Sequence, residues 1–267
     1  MAPIHRGFYF CTMLLTDTHT HQYYETDPVK RQELMQRCLD NGVERLFLPN
    51  VDSASIELVM SQVEAFPNNC FAMLGLHPCD VKANWQDELS SIEAAIPQHK
   101  IYAIGEIGID LYWDKTFLDQ QIQAFKIQIG WAKKLKLPIV IHCRDAFSEV
   151  YQVLQEEQGD DLRGIFHCFT GTLEQAQKVI DVGFFLGIGG VVTYKNSGLD
   201  KIVQQIDLKH IVLETDSPYL TPVPYRGKRN ESSYLIYVAE KVADLHQTSI
   251  ENVAAVTTEN SKIVFGV

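Results

Sequence analysis

The sequence predicts a closed (β/α)8 barrel, the TIM-barrel class. Eight short apolar runs recur along its 267 residues, and amphipathic stretches fill the gaps between them. Histidines or carboxylates stand at the carboxyl ends of six of those runs. Alternating strands and helices point to a parallel α/β architecture, and polar residues at strand ends are where such barrels place their chemistry.

The runs are Leu14–Asp17, Arg45–Pro49, Cys70–Leu76, Ile101–Glu106, Pro138–His142, Gly164–His167, Phe184–Ile188 and Ile211–Glu214. They are rich in Val, Ile, Phe and Leu with little polar alternation, which is how strands buried on both faces read. An open doubly wound sheet is the runner-up. It is disfavoured because no glycine-rich phosphate loop follows the first run.

Helical stripes lie between the runs. Leu34, Cys38 and Leu39 mark the first, and Ile56, Val59 and Val63 the second, with a cap expected at Ser53. Leu118, Ile122, Phe125, Ile129, Ala132 and Leu135 step by three and four and predict the longest helix. Ala176, Val179 and Ile180 mark a later one, ended by Gly183. Leu235, Val238, Val242 and Leu245 form the next stripe, and Thr248 with Glu251 suggests a capping box for the last helix.

Composition bounds the class. Hydrophobic residues make up 46% of the chain and aromatic residues 10%, enough for a sizeable core. A single domain is expected over 13–267, because no Pro/Gly-rich linker or low-complexity tract divides it. Residues 1–12 read as a dispensable extension. They carry Phe8, Tyr9 and Phe10 but lack the apolar region and cleavage site of a signal peptide. No window approaches a membrane span. The six cysteines are dispersed without a CxxC pair, which suits a reducing, cytoplasmic setting. The net charge of −11 argues against coating long nucleic acid, while leaving room for a local basic patch. No obligate protein partner is expected.

Chemistry concentrates at the strand ends. Residues two apart on an extended chain share a face, so His19 and His21 aim their imidazoles together. Later ends supply Gly75-Leu76-His77-Pro78, Gly105-Glu106-Ile107-Gly108-Ile109-Asp110, Ile141-His142-Cys143-Arg144-Asp145-Ala146, Phe166-His167-Cys168 and Leu213-Glu214-Thr215-Asp216. Four histidines (19, 21, 142, 167) with Glu106 and Asp216 make six candidate metal ligands. One structural zinc needs only four. Six mixed N and O donors at a barrel mouth suit two divalent ions with open positions, and Glu106 is central enough to bridge them. The imidazoles favour Zn or Mn, while the carboxylates leave room for Mg.

THTH, GLHP, GEIGID, IHCRDA, HCFTG, LETDSPYL and RGKRNE, in this order, resemble the TatD family of metal-dependent deoxyribonucleases. The similarity runs from about Leu14 to Phe265, including the terminal Thr257-x-x-Asn260. The resemblance implies a (β/α)8 barrel with a two-metal hydrolytic site, liganded by His19, His21, Glu106, His142, His167 and Asp216. Two departures stand out. Ser232 follows Arg229-Asn230-Glu231 where many members carry Pro, and the segment before Met13 lies outside the pattern.

Around the ligands, His77 and Arg144 are expected substrate or phosphate contacts, Arg144 by its bidentate guanidinium. Arg226, Lys228 and Arg229 form a candidate phosphate patch after strand eight, with Arg229 favoured. Tyr112 and Trp113 could stack on a base, though rim or core packing is the commoner fate. Cys143 and Cys168 should point away from the ligands by strand alternation.

These features predict phosphodiester hydrolysis by an end-acting deoxyribonuclease on single-stranded or frayed DNA, with Glu106 and Asp216 in catalytic roles. Asp216 could be ligand, proton acceptor or both. The rival enzyme is an amidohydrolase or esterase acting on a cyclic amide, a small ester or an aminoacyl-RNA ester. The two-metal cyclic-amide type places a lysine on strand four, where this chain has Glu106. A non-catalytic barrel is the third alternative, but it should have lost ligands, and all six are present.

Overall fold

In a computed structural model, which describes residues 13–159 and 162–267, the expected barrel is observed. Eight strands pair in parallel and in sequence order: β1 Leu15–Asp17, β2 Val43–Pro49, β3 Cys70–Leu74, β4 Ile101–Asp110, β5 Ile139–Arg144, β6 Gly164–Phe166, β7 Phe185–Ile188 and β8 Ile211–Leu213. The ladder is unbroken from β1 to β8. Just past the last strand, the Thr18 amide donates to the Leu213 carbonyl at 3.0 Å and the Asp216 amide to the His19 carbonyl at 2.9 Å. These bonds nearly close the cylinder. The expected extension 1–12 lies outside the described residues.

Helices α1 Pro28–Asp40, α2 Ile56–Ala65, α3 Trp85–Ala95, α4 Leu118–Leu135, α5 Phe147–Glu156, α6 Leu173–Asp181, α7 Leu199–Val203, α8 Leu235–His246 and α9 Ile250–Phe265 surround it. Their stripes mostly pack as anticipated, with corrections at the ends. α1 buries Met35 and Cys38 but leaves Leu39 exposed, and Leu135 of α4 is exposed too. Ser53 does not cap α2: Asp52 caps a 3-10 turn over Ser53–Ser55, its carboxylate accepting from the Ser55 amide at 2.8 Å, and Ser55 leads into α2 without a side-chain cap bond. Ser249, one residue beyond Thr248, caps α9 through the Asn252 amide. The helices α3, α5 and α7 have no stripe among those read from the sequence.

Two apolar layers hold the fold together. One lies between the sheet and the helices. The other fills the amino-terminal end of the barrel with Phe47, Met73, Ala103, Val140, Ile165 and Val212, sealed by Phe265 of α9 stacked 3.7 Å from Phe47. Alternation then carries the next inward positions upward: Val140 is followed two residues on by His142, and Ile165 by His167. The apolar floor and the polar mouth are thus successive layers of one pattern. Asn260 anchors α9 by donating to the Leu208 and Ile211 carbonyls at 2.8 and 2.7 Å.

Strand β4 runs four residues beyond its expected end. Gly108 permits this: its φ of +140° is closed to side chains, and an added Cβ would fall 2.0 Å from the His142 carbonyl oxygen. The extension delivers Asp110 to the mouth. Two buried glutamines of α4 clasp the strand ends, Gln128 accepting from the Leu76 amide at 2.6 Å and Gln121 from the Asp110 amide at 2.9 Å.

Candidate metal centre

All six residues expected as ligands meet at the carboxyl-terminal mouth. Glu106 sits in the middle, buried, with its two oxygens facing different partners. Its Oε2 lies 3.1 Å from His19 Nε2 and 3.6 Å from His21 Nε2. Its Oε1 lies 2.7 Å from His142 Nδ1, 3.3 Å from His77 Nε2 and 3.6 Å from His167 Nε2. Asp216 Oδ1 faces the His19, His21 and His167 Nε2 atoms at 3.9, 3.7 and 3.9 Å.

His77 comes closer than its strand position suggests. Its Nδ1 accepts the Cys79 amide at 3.0 Å, capping a short 3-10 turn, and this directs Nε2 into the centre, 3.3 Å from His142 Nδ1. Three of the remaining ring nitrogens are oriented from behind, while His19 Nδ1 is buried without a hydrogen-bond partner among the described residues. Asp110 Oδ2 is 2.8 Å from His142 Nε2, Glu214 Oε1 is 2.9 Å from His167 Nδ1, and the Tyr23 hydroxyl is 2.9 Å from His21 Nδ1. Asp110, Glu214 and Tyr23 were not singled out from sequence. Carboxylates behind histidines are a common way of fixing the tautomer and raising ligand basicity.

The backbone at the mouth is unusual. Asp145, Cys168 and Asp216 follow β5, β6 and β8 with φ of 53°, 47° and 54°. Such left-handed non-glycine residues cost about 1–3 kcal/mol each and persist where surrounding structure over-determines them. At Cys168 the turn breaks alternation, so the thiol does not point away as expected. It lies within 4.8 Å of donor atoms of His167 and Glu214. Cys143 also borders the mouth cavity.

Asp17 ties the first strand to the last loop. Buried fully, its Oδ1 accepts from the Thr215 amide at 2.9 Å and its Oδ2 from the Thr215 hydroxyl at 2.6 Å. Ser232 adds to this seam, its hydroxyl 3.0 Å from that of Thr20, which in turn is 2.6 Å from Ser217 Oγ. The departure from Pro at this position therefore has a buried hydrogen-bonding role.

Charge in the centre is strongly redistributed. Burial disfavours a charged Glu106, but the imidazoles of His77, His19, His167 and His142 outweigh it and hold the carboxyl well below its usual range. Burial lowers His19, with His167 adding to the effect. Burial opposes charge on His167 too, yet Glu214 and Glu106 push it up to about 10. Burial raises Asp216 to about 6, against the pull of His167 and His21. The cluster thus attracts positive charge at its middle. The Nε2 atoms of His19 and His21 stand 3.3 Å apart, and one proton can satisfy only one hydrogen bond between them. A divalent cation satisfies both, so the donor set fits a metal.

The substrate residues divide. Arg144 borders the mouth cavity of about 660 Å3, its guanidinium carbon 3.7 Å from the Tyr112 ring centroid. Arg229 instead borders a neighbouring pocket and pairs with Glu25 at 3.6 Å. Arg226 lies over Tyr194 at 3.8 Å and Lys228 near Tyr225 at 5.3 Å. Each of the three cations thus meets a different aromatic or acidic neighbour.

A barrel of eight parallel strands with a histidine–carboxylate cluster at its carboxyl mouth defines the class of metal-dependent barrel hydrolases. Residues 16–266 match the family described as TatD related DNase, and the chain belongs to the TatD family. It is 40% identical over 256 residues to the metal-dependent hydrolase YabD of Bacillus subtilis, covering 94% of this chain and 99% of that one. It is 32% identical to the 3'-5' ssDNA/RNA exonuclease TatD of Citrobacter koseri, covering 89% and 93%. The crystal structure of YjjV, a TatD homologue from Escherichia coli K12, superposes with a TM-score of 0.89 at 25% identity, covering 95% and 98%.

Proposed function

We propose that this protein is a phosphodiesterase that trims single-stranded or frayed DNA from its ends, using two divalent cations. The observation that carries this reading is the split of Glu106: one oxygen toward His19 and His21, the other toward His142, His77 and His167. A carboxylate so placed would help hold both ions, with His19, His21, His142, His167 and Asp216 as the other ligands. Zn²⁺, Mn²⁺ and Mg²⁺ suit this mix of imidazole and carboxylate donors.

When bound, such a pair supplies an activated water and neutralises charge on the phosphate oxygens. The chain does the rest. Asp216 is the least enclosed carboxylate of the centre, so it is placed to hold an ion, to accept a proton from a water, or both. Arg144 at the rim offers its guanidinium to a phosphate. His77, kept neutral by burial, is placed to donate to a phosphate oxygen on the Glu106 Oε1 side.

A pocket closed below by the apolar floor admits a strand end more readily than the middle of a stiff duplex. The exonuclease named among the relatives supports nucleic acid as substrate class. Among the described residues no helix is long and apolar enough to cross a membrane. The cysteines described are free, in keeping with a cytoplasmic setting.

The test is digestion of end-labelled single-stranded DNA, linear and as a closed circle, with Mg²⁺, Mn²⁺ or Zn²⁺. Mononucleotides or very short products from the linear strand alone are expected. Rapid cutting of the circle would overturn end action. No cutting with any metal would favour the ester or amide hydrolase.

A further inference from the structure

The segment after β4 carries two aromatic side chains that the core does not take. Tyr112 is 52% exposed and Trp113 71%, whereas the other tryptophans, Trp85 and Trp131, are 7% and 8% exposed. A large indole left in water forgoes the apolar burial that aromatic residues normally gain. The backbone holds it there. Asp110 Oδ1 accepts the amides of Tyr112 at 2.9 Å and Trp113 at 3.3 Å, while its Oδ2 meets His142. One carboxylate therefore fixes the aromatic pair relative to the metal-competent centre.

The two rings are not equivalent. Arg144 covers Tyr112 at 3.7 Å. Trp113 meets Tyr112 edge-on, with centroids 4.8 Å apart and planes at 89°, so Tyr112 does not stack on its face. Arg144 is 5.5 Å from the indole and, among the described residues, spends its charge on these rings rather than on Asp145 or Glu149. Trp113 and Arg144 both border the mouth cavity beside Glu106 and His142. A nucleotide has a flat apolar part and an anionic part, and this rim offers a flat apolar surface next to a guanidinium.

We propose that Trp113, backed by the Tyr112–Arg144 stack, is a platform on which an unpaired nucleobase beside the scissile phosphodiester stacks. This rests on the nuclease reading, adds one property to it and gives a physical cause for another. Stacking uses the π-face that every base has, so the platform does not discriminate sequence. A base still paired in a duplex keeps that face inside its own stack, so frayed or single-stranded ends are selected.

The experiment compares a single DNA strand with the same strand carrying abasic tetrahydrofuran residues at both ends, cut by the wild-type metal-loaded protein, Trp113→Ala and Trp113→Phe. One stacked base corresponds to roughly 5- to 100-fold in affinity. Wild type should lose about that factor in kcat/KM on the abasic strand, chiefly through KM. Trp113→Ala should lose it on the natural strand and match wild type on the abasic one, and Trp113→Phe should recover most of it.

Fluorescence provides the second readout, because Trp113 is the exposed tryptophan. An uncleavable phosphorothioate strand with Mg²⁺ should quench wild type and leave Trp113→Phe unchanged. Equal cutting of natural and abasic strands by wild type and Trp113→Ala overturns the platform and leaves the nuclease reading standing. If no strand is cut with any metal, the nuclease reading falls and the titration decides. Absence of quenching overturns the platform, and quenching lost in Trp113→Phe supports it.

Discussion

Asp110 and His142 are joined at 2.8 Å, carboxylate oxygen to Nε2, so the other nitrogen of His142 is turned onto Glu106 at 2.7 Å. Burial opposes the charge on Asp110, but the bond to His142 and the Tyr112 and Trp113 amides hold its carboxyl down at about 2. Removing the carboxylate frees the ring and lowers its basicity. Asp110→Ala should weaken divalent-metal affinity about 10- to 100-fold in a folded protein. Isothermal titration with Zn²⁺ or Mn²⁺ would measure it, and an unchanged affinity would show that Asp110 serves only the loop.

Glu106→Gln tests the bridge. The amide keeps shape but loses charge and half its acceptor capacity in a pocket crowded with imidazoles. Metal content should fall, and metal-dependent turnover should be lost by at least about 100-fold, the scale at which removing one preorganised electrostatic group acts. Elemental analysis beside circular dichroism separates this from unfolding. Full activity would remove Glu106 from the centre.

Arg144→Ala and Arg229→Ala should behave differently. Arg144 borders the cavity, so its loss should raise KM and flatten the salt dependence of binding by less than one unit, about 0.7 per single-strand phosphate. Arg229 is 57% exposed and paired with Glu25 outside that cavity, so its loss should change stability by no more than about 1 kcal/mol and KM little. Equal effects on KM would restore Arg229 as a substrate contact.

Asp17 predicts a pH dependence of stability. Burial raises its carboxyl to about 7, against the Thr215 and Ser232 hydrogen bonds. In the unfolded chain an aspartate titrates near 4. Between these values the native state holds a proton that the unfolded state does not, so this contribution is full below about pH 4 and is lost as pH rises toward 7. Asp17→Asn removes it. Wild type minus variant should lose stability with rising pH at up to about 1.4 kcal/mol per unit in this window. Denaturant titrations in EDTA at several pH values would read the slope, and a rising difference would reverse the sign.

The strands were legible because parallel strands buried on both faces must be continuous in Val, Ile, Leu and Phe, and residues such as His142 and His167 interrupt that continuity only at its end. The full extent of β4 was not legible. Gly108 reads as a breaker, yet here it relieves a close approach to the His142 carbonyl. Asp110, Glu214 and Tyr23 escaped notice because a partner behind a histidine is chosen by spatial adjacency across strands. The aim of the His77 ring is set by a cap bond to Cys79 that spacing does not show. Cys168 defied alternation because a single left-handed residue resets which face follows.

The seam between β1 and β8 joins residues almost two hundred positions apart, as the Thr18 hydroxyl bond to the Leu213 carbonyl shows with a separation of 195. His19 and His21 lie on one side of that seam and Asp216 on the other. Closing this span costs chain entropy before any contact across it rewards the closure. A partly wound chain, however complete its middle strands, holds only half of the donor set. On the two-cation reading, ion capture would latch the finished cylinder. A bound ion adds stability that grows with the logarithm of its concentration, and it does so for the closed chain and not for its unfinished precursors.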